Sequence, residues 1–165
     1  MRNIALVAHD SRKDELIEWA TYNLHELKNH KLYATGTTGR LIKEISYTDC
    51  LDENGEKVRG VVRHYPFENN LICLKSGPLG GDQQIGAMIA EGEIDVLIFF
   101  CDNLITQGHQ TDVSALTRLA SLYNIAFATD RTTADMILTS PLFYDDNYKR
   151  IVPDVIENYK NRPLK

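Results

Sequence analysis

The sequence predicts a three-layer α/β/α fold built on a five-stranded, mainly parallel, doubly wound sheet. Two short runs, Asn3–Ala8 and 94–100, are apolar nearly throughout. Such runs imply burial on both faces, and hence a parallel sheet covered by helices. Between them apolar residues recur at helical spacing. Strand and helix then alternate along the chain with no repeat and no low-complexity linker, the pattern of a doubly wound sheet.

Each element has its own justification. Asn3–Ala8 is the first strand. His9-Asp10-Ser11 breaks it, with Asp10 or Ser11 placed to cap the next helix. That helix carries an inward stripe of Leu16, Ala20, Leu24 and Leu27, widened by Ile17. Residues 31–34 form a second strand, followed by Thr35-Gly36-Thr37-Thr38-Gly39 and a helix expected from about Arg40. Leu71–Leu74 is the third strand. The loop Ser76-Gly77-Pro78-Leu79-Gly80-Gly81 then leads to a helix starting at Asp82, with Ile85, Met88 and Ile89 facing inward. Residues 94–100 are the fourth strand. A polar loop over 102–111 precedes a helix over 112–123. Residues 125–128 are the fifth strand, and 129–133 turn into a helix over 134–139. Beyond Ile151 the pattern weakens. Residues 47–70 interrupt the alternation. Asn54-Gly55 is a hairpin-turn dipeptide, and Val58, Val61 and Val62 favour strand, so the segment reads as a small hairpin excursion.

Composition bounds the function. A chain of 165 residues fits a single domain with an ample core. The hydrophobic fraction is 43% and the charged fraction 25%, ordinary for a globular protein. A net charge of −5 without any Lys/Arg run argues against nucleic acid, which demands a basic face. A small anionic ligand stays possible, because backbone dipoles can hold it against the global sign. No apolar stretch approaches membrane-spanning length, and the first ten residues read as a strand rather than a signal sequence. Cys50, Cys73 and Cys101 are odd in number and lack metal-ligand spacing. Cys73 and Cys101 lie in strand-like runs and read as reduced buried thiols. The expected setting is a reducing cytoplasm.

The loops that follow the strands of a parallel sheet open on one edge, where ligands bind. Here they carry His9, Asp10 and Lys13; Thr35, Gly36, Thr37 and Thr38; Ser76, Gly77 and Asp82; Asp102, His109 and Asp112; and Thr129 with Asp130. The Thr/Gly turn and Ser76-Gly77 offer backbone N–H groups and hydroxyls suited to a single phosphate, with Lys13 as a point charge. Neither GxxxxGK[ST] nor GxGxxG is present, which argues against triphosphate or dinucleotide binding. Taken singly, each feature has a plainer reading. A Gly/Thr turn before a helix is more often a cap, and an aspartate at a helix start more often a dipole partner. Either histidine alone is more often structural. Their convergence on one sheet edge is what points to a site.

These residues resemble the signatures of methylglyoxal synthases. The resemblance rests on Val7-Ala8-His9-Asp10, Tyr33-Ala34-Thr35-Gly36-Thr37-Thr38-Gly39 and Ser76-Gly77-Pro78-Leu79-Gly80-Gly81-Asp82-Gln83-Gln84. The apolar run 94–100 with Asp102, His109 and Asp112 at the family's spacing adds to it, as does Thr132-Thr133-Ala134-Asp135. It spans nearly the whole chain apart from 47–70. It implies an enzyme that acts on dihydroxyacetone phosphate without metal or organic cofactor. Asp82 is then the catalytic base, His109 polarises the substrate oxygens and Asp112 orients His109. His9, Lys13, Thr35, Gly36, Thr37, Thr38, Ser76 and Gly77 become substrate and phosphate contacts, with Asp10 and Asp102 lining the same pocket. An arginine near the C-terminus helps hold phosphate in the family, and Arg162 is the nearest match. Homohexamers, and inhibition by the product inorganic phosphate, are further family properties.

Two opposing effects act on Asp82. A helix N-terminus lowers a carboxylate pKa, whereas burial near Asp10, Asp102 and Asp112 raises it. The excursion at 47–70 joins the end of a helix to the start of a strand, away from the ligand loops. It is expected to spare the chemistry and to bear on subunit contacts. The main rival reading is a non-catalytic domain of the same class that binds a phosphorylated effector, for which Asp82, His9 and His109 would have no use. A receiver-type signalling domain fits poorly, because His9-Asp10 is not the acidic pair that it needs. An isomerase shares substrate and intermediate.

Overall fold

Alternation along the strands sets the layering. The computed structural model describes residues 1–51, 57–105 and 108–163, with the side chains of 49–51 and 57–62 outside that description. Strand β1 (Asn3–Ala8) sends Ile4, Leu6 and Ala8 into one apolar cluster and Ala5 and Val7 into another, because successive side chains point to opposite faces. Both sets are buried. The same division holds in β2 (Lys31–Thr35), where Leu32 and Ala34 oppose Tyr33. After the hairpin strands β3 (Tyr47–Leu51) and β4 (Lys57–His64) come β5 (Leu71–Leu74), β6 (Val96–Phe100) and β7 (Ala126–Ala128). The main sheet has the order β5-β2-β1-β6-β7, and every neighbouring pair in it is parallel.

Helices cover both faces. On one side lie α1 (Lys13–Tyr22), the short α2 (Leu24–Leu27), α3 (Gly36–Lys43) and α6 (Arg131–Thr139), which contribute Leu16, Trp19, Ile42 and Leu138 to the first cluster. On the other lie α4 (Gly81–Ala90) and α5 (Gln110–Leu122), which contribute Ile85, Ile89, Val113 and Leu116 to the second. The chain continues through α7 (Pro141–Tyr144) and α8 (Val155–Lys160). The Trp19 indole N–H donates to Asp135 Oδ1 at 2.7 Å. That bond ties α1 to α6 and gives the 132–135 motif a structural role.

The structure corrects several expectations. The first helix is two pieces divided at Asn23, whose side-chain amide donates to the Trp19 carbonyl at 3.0 Å. Neither Asp10 nor Ser11 caps it. Residues 10–12 form a 3-10 turn without a side-chain cap, because Asp10 accepts from Lys13 and the Ser11 hydroxyl donates to Asp102. Helix α3 begins at Gly36 rather than near Arg40, so the Thr/Gly run is its first turn. The later helices also start earlier than expected, at Gly81, Gln110 and Arg131; the last is capped by Asp130, which accepts from the Thr133 N–H at 2.9 Å. Cys73 is exposed, because β5 is an edge strand. Cys101 is buried as expected, and burial pushes its thiol up to about 11.

Segment 47–70 does form a hairpin. Strands β3 and β4 pair antiparallel, Tyr47 opposite His64, with a register shift between Asp49 and Leu51. The Asn54-Gly55 turn lies outside the described residues. At the hairpin's base the Tyr47 ring stacks on His64 with centroids 4.9 Å apart, and His25 of α2 lies 6.0 Å from Tyr47. The chain then returns to the body. Phe67 is fully buried in the first cluster. The Asn70 amide donates to the carbonyls of Leu27, Lys28 and His30 at 3.3, 3.1 and 2.9 Å. The hairpin thus leaves from the end of α3 and rejoins before β5, on the edge where the strands begin.

Phe67 is the residue that anchors this return, and its truncation leaves a large cavity. Phe67→Ala should cost about 3–5 kcal/mol in denaturant unfolding. A loss below about 1 kcal/mol would show that the return segment is not part of the core.

Candidate active site

The helices after β1 and β2 pack on one face of the sheet, and those after β5 and β6 on the other. The loops therefore part above adjacent strand ends, and a crevice opens there. It holds a cavity of about 750 Å³. Of the residues singled out from sequence, His9, Asp10, Lys13, Thr35, Gly36, Thr37, Thr38, Ser76, Gly77, Asp82, His109 and Asp112 all line it.

Asp82 sits in the first turn of α4, 2% exposed. Neither carboxylate oxygen has a hydrogen-bond partner among the described residues. His109 Nε2 lies 3.6 Å from Oδ2. Burial is the largest influence on Asp82 and raises its pKa; His109 pulls the other way and Asp112 pushes up again. The net direction is upward, set chiefly by burial. The Gly77 backbone passes close by: a Cβ there would lie 3.0 Å from both carboxylate oxygens and 3.2 Å from His109 Nε2. Glycine at this position keeps open the space in front of the carboxylate.

His9 follows β1 and is 5% exposed. Its Nδ1 accepts from the Asp102 backbone N–H at 2.8 Å. That bond requires an unprotonated Nδ1, so the neutral ring carries its proton on Nε2. Nε2 is buried and without a partner among the described residues. The ring packs edge-on against Phe99, with centroids 5.0 Å apart, and lies 6.2 Å from His109. Burial, and secondly His109, hold His9 below the usual imidazole range.

Across the cavity stands the start of α3. The first N–H groups of a helix lack intrahelical acceptors, and Thr35 supplies no side-chain cap. The Gly36 N–H donates to the Lys75 carbonyl at 3.1 Å, which leaves the Thr37 and Thr38 amides to be satisfied from the cavity. Gly36 has φ +40°, and a Cβ there would strike Ser76. The Thr/Gly turn and Ser76 therefore fit together only with glycine at 36. Such a helix start suits an anion. Lys13 pairs with Asp10 at 2.5 Å, and that lysine lowers the Asp10 pKa.

Two predicted residues are placed differently. The Asp102 carboxylate does not line the cavity. It accepts from Ser11 Oγ at 2.5 Å and from the N–H groups of Leu104 and Ile105 at 3.0 and 3.3 Å, and the Ser11 bond lowers its pKa. What it gives the site is its backbone N–H. The Arg162 guanidinium lies over the Tyr159 ring, 3.9 Å from the centroid, away from the cavity of its own chain. Sequence reasoning missed Ser11 as the residue that holds Asp102. It also missed Gln84, whose Oε1 accepts from the Lys75 N–H at 2.9 Å. Gln84 lay in view within the Gly-Gly-Asp-Gln-Gln run; nothing at Ser11 pointed across to Asp102. Among the described residues, no three of His, Cys, Asp or Glu gather as metal donors, and no helix is long and apolar enough to cross a membrane.

Fold and site together define a small doubly wound domain that sets a buried carboxylate and two imidazoles against a helix start open to an anion. The chain belongs to the MGS-like domain family, whose model matches residues 15–129. It is 47% identical over 153 residues to the methylglyoxal synthase of Pseudoalteromonas atlantica, an alignment covering 93% of this chain and 98% of that one. It is 46% identical over 164 residues to the methylglyoxal synthase of Proteus mirabilis, covering 99% and 93%. A crystal structure of methylglyoxal synthase from Elizabethkingia anophelis superposes with a TM-score of 0.78 at 40% identity, covering 99% of this chain and 93% of that one.

The raised pKa of Asp82 carries a sign for stability. Between its unfolded and folded pKa values the native state holds the extra proton, so stability falls as pH rises through the folded value. Above the folded value the carboxylate is ionised and buried without a hydrogen-bond partner among the described residues, a larger cost than a neutral amide carries. Asp82→Asn should therefore raise Tm at neutral pH, and the gain should shrink as the pH falls and the carboxyl takes up its proton. A lower Tm at neutral pH would mean that the ionised group is stabilised in place.

Proposed function

We propose that this chain catalyses the methylglyoxal synthase reaction, converting dihydroxyacetone phosphate to methylglyoxal and inorganic phosphate. The observation that carries the reading is the Asp82 carboxylate, buried and unpartnered, facing the same cavity as His9, His109 and the start of α3. A structural aspartate would be hydrogen-bonded; a base for a carbon acid must be free to accept a proton.

Asp82 takes a proton from the hydroxymethyl carbon beside the substrate carbonyl. Charge moves to the carbonyl oxygen as the enediolate forms. The His9 Nε2–H and His109 stabilise that oxygen, an effect that grows in a water-poor site. Neutral His9 is suited to this role, since it donates a hydrogen bond without giving up its proton. Thr37, Thr38, Ser76 and the amides of the α3 start hold the phosphate, with Lys13 as the nearby cation, Thr35 and Gly36 shaping the turn and Asp10 and Asp112 orienting Lys13 and His109. Loss of phosphate from the far carbon then needs the carbon–oxygen bond perpendicular to the enediolate plane, so that the π electrons expel it. The cradle sets that angle, an orientation effect. The released enol tautomerises to methylglyoxal. The same reading carries inhibition by inorganic phosphate, a homo-oligomer (a hexamer by family resemblance) to which Arg162 is assigned a phosphate contact, and a cytoplasmic setting in keeping with Cys73 and Cys101 as free thiols.

Incubation of the protein with dihydroxyacetone phosphate should release phosphate and the dicarbonyl in equal amounts. Asp82→Asn should lower turnover by about 10²–10⁴-fold. The acid limb of the kcat/KM profile should fall at a pH above the ordinary carboxylate range. Glyceraldehyde 3-phosphate without phosphate release would identify an isomerase; binding without any conversion would identify an effector-binding domain.

None of the hairpin's described residues lines the cavity. Replacing residues 48–63 with a short Gly/Ser turn, keeping Phe67 and Asn70, should leave kcat within about twofold and change the oligomeric state seen by light scattering. Lost turnover in a folded, still-assembled variant would place the hairpin in the catalytic machinery.

A further inference from the structure

The opposite edge of the sheet, where β1, β6 and β7 begin, carries a second cavity of about 570 Å³. It shares no lining residue with the active site. Its walls are largely apolar, with Ile125, Phe143 and Val152 among them, yet three cations stand around it: Arg2, Lys149 and Arg150. They come from both ends of the chain, in a protein whose net charge is −5.

The two arginines are held in place without being neutralised. Arg2 donates through Nε to the Phe143 carbonyl at 2.9 Å, and through Nη2 to the carbonyls of Leu142 and Asp145 at 3.3 and 2.7 Å. Arg150 donates through Nη1 to the Ile94 carbonyl at 2.9 Å. All four acceptors are uncharged. Guanidinium has five N–H donors, so Arg2 Nη1 and Arg150 Nη2 remain to bind. Among the described residues none of the three cations has an ion-pair partner, whereas Arg12, Lys13, Arg131 and Lys160 each have one. Among the described residues Asp95 is the only carboxylate on the cavity wall, and it accepts from the Asn3 N–H at 2.9 Å.

Three cations line one cavity, and none has an ion-pair partner among the described residues, which favours an anion there. Prior fixing of the two guanidiniums removes ordering cost from binding. The volume is that of a small-molecule site. We propose that this cavity binds a small organic anion, its phosphate or carboxylate head among Arg2, Lys149 and Arg150 and its apolar body against Ile125, Phe143 and Val152. The proposal is independent of the reaction assigned to the first cavity.

Titration calorimetry on the full chain tests it, without added inorganic phosphate, which would itself compete for the proposed head-group position; two variants and a protection map separate this cavity from the active site. Phenyl phosphate and benzoate serve as the two head-group arms, and benzyl alcohol as the uncharged control. At least one anion should give a saturable isotherm that benzyl alcohol does not. Lys149 is exposed, so Lys149→Glu should fold normally and weaken binding by about tenfold or more, as expected for reversing a charge beside a partly desolvated anion. Arg150→Gln should weaken it as well. Hydrogen exchange should show protection by the bound anion over residues 145–152. The proposal is overturned by the absence of a saturable isotherm with either anion, by affinity unchanged in both variants, or by protection confined to residues 35–38 and 76–82.

Discussion

The peptide unit at Lys75 is shared by the two halves of the active site. Its N–H is held by the Gln84 side chain of α4, and its carbonyl by the Gly36 N–H at the start of α3. These helices lie on opposite faces of the sheet, so no packing between them sets the distance from the anion cradle to the Asp82 carboxylate. The strand end that carries Lys75 does so instead. Ser76 continues from it into contact with Gly36, and Gly77 continues into contact with Asp82 and His109. Three consecutive residues thus measure out the site: glycine is required at 36, where a Cβ would strike Ser76, and at 77 a Cβ would crowd the side chains of Asp82 and His109.

Electrostatics at this site run against the overall charge. An acidic chain offers an anion a cavity in which Asp10, Asp82 and Asp112 are all present. The nearest lysine is already paired with Asp10. Attraction must therefore come largely from oriented amides and hydroxyls at the start of α3, whose dipoles are fixed by the fold and need no counter-ion. The carboxylate that cannot be satisfied is the one whose chemistry depends on staying free. Stability given up at Asp82 is recovered in two cores that bury nearly every strand residue of β1 and β6.

Much of this was legible in the sequence, and the reason is local. Strands buried on both faces must be apolar throughout, so β1 and β6 announced the parallel sheet, and the rule that its loops open on one edge gathered the polar residues. Boundaries were less legible. The Thr/Gly turn has the composition of a loop, yet it forms the first turn of α3, with Gly39 packed close to Ala34 and Cys73. Cys73 looked buried because its neighbours are apolar, but sheet order decides exposure, and order is not local. The displacement of the Asp102 carboxylate has the same origin. Its partner, Ser11, is 91 residues away, and no pattern along the chain connects them. Arg162 was carried over from the family alone, and the tail places it on Tyr159.

The donor that fixes His9 is a main-chain amide. Every amino acid except proline brings the same N–H to position 102, so the tautomer of the imidazole is insulated from side-chain replacement there. Mutational drift at that position can loosen the loop while the ring keeps its proton on the inward nitrogen. Chemistry entrusted to the backbone in this way is inherited with the fold rather than with the residue.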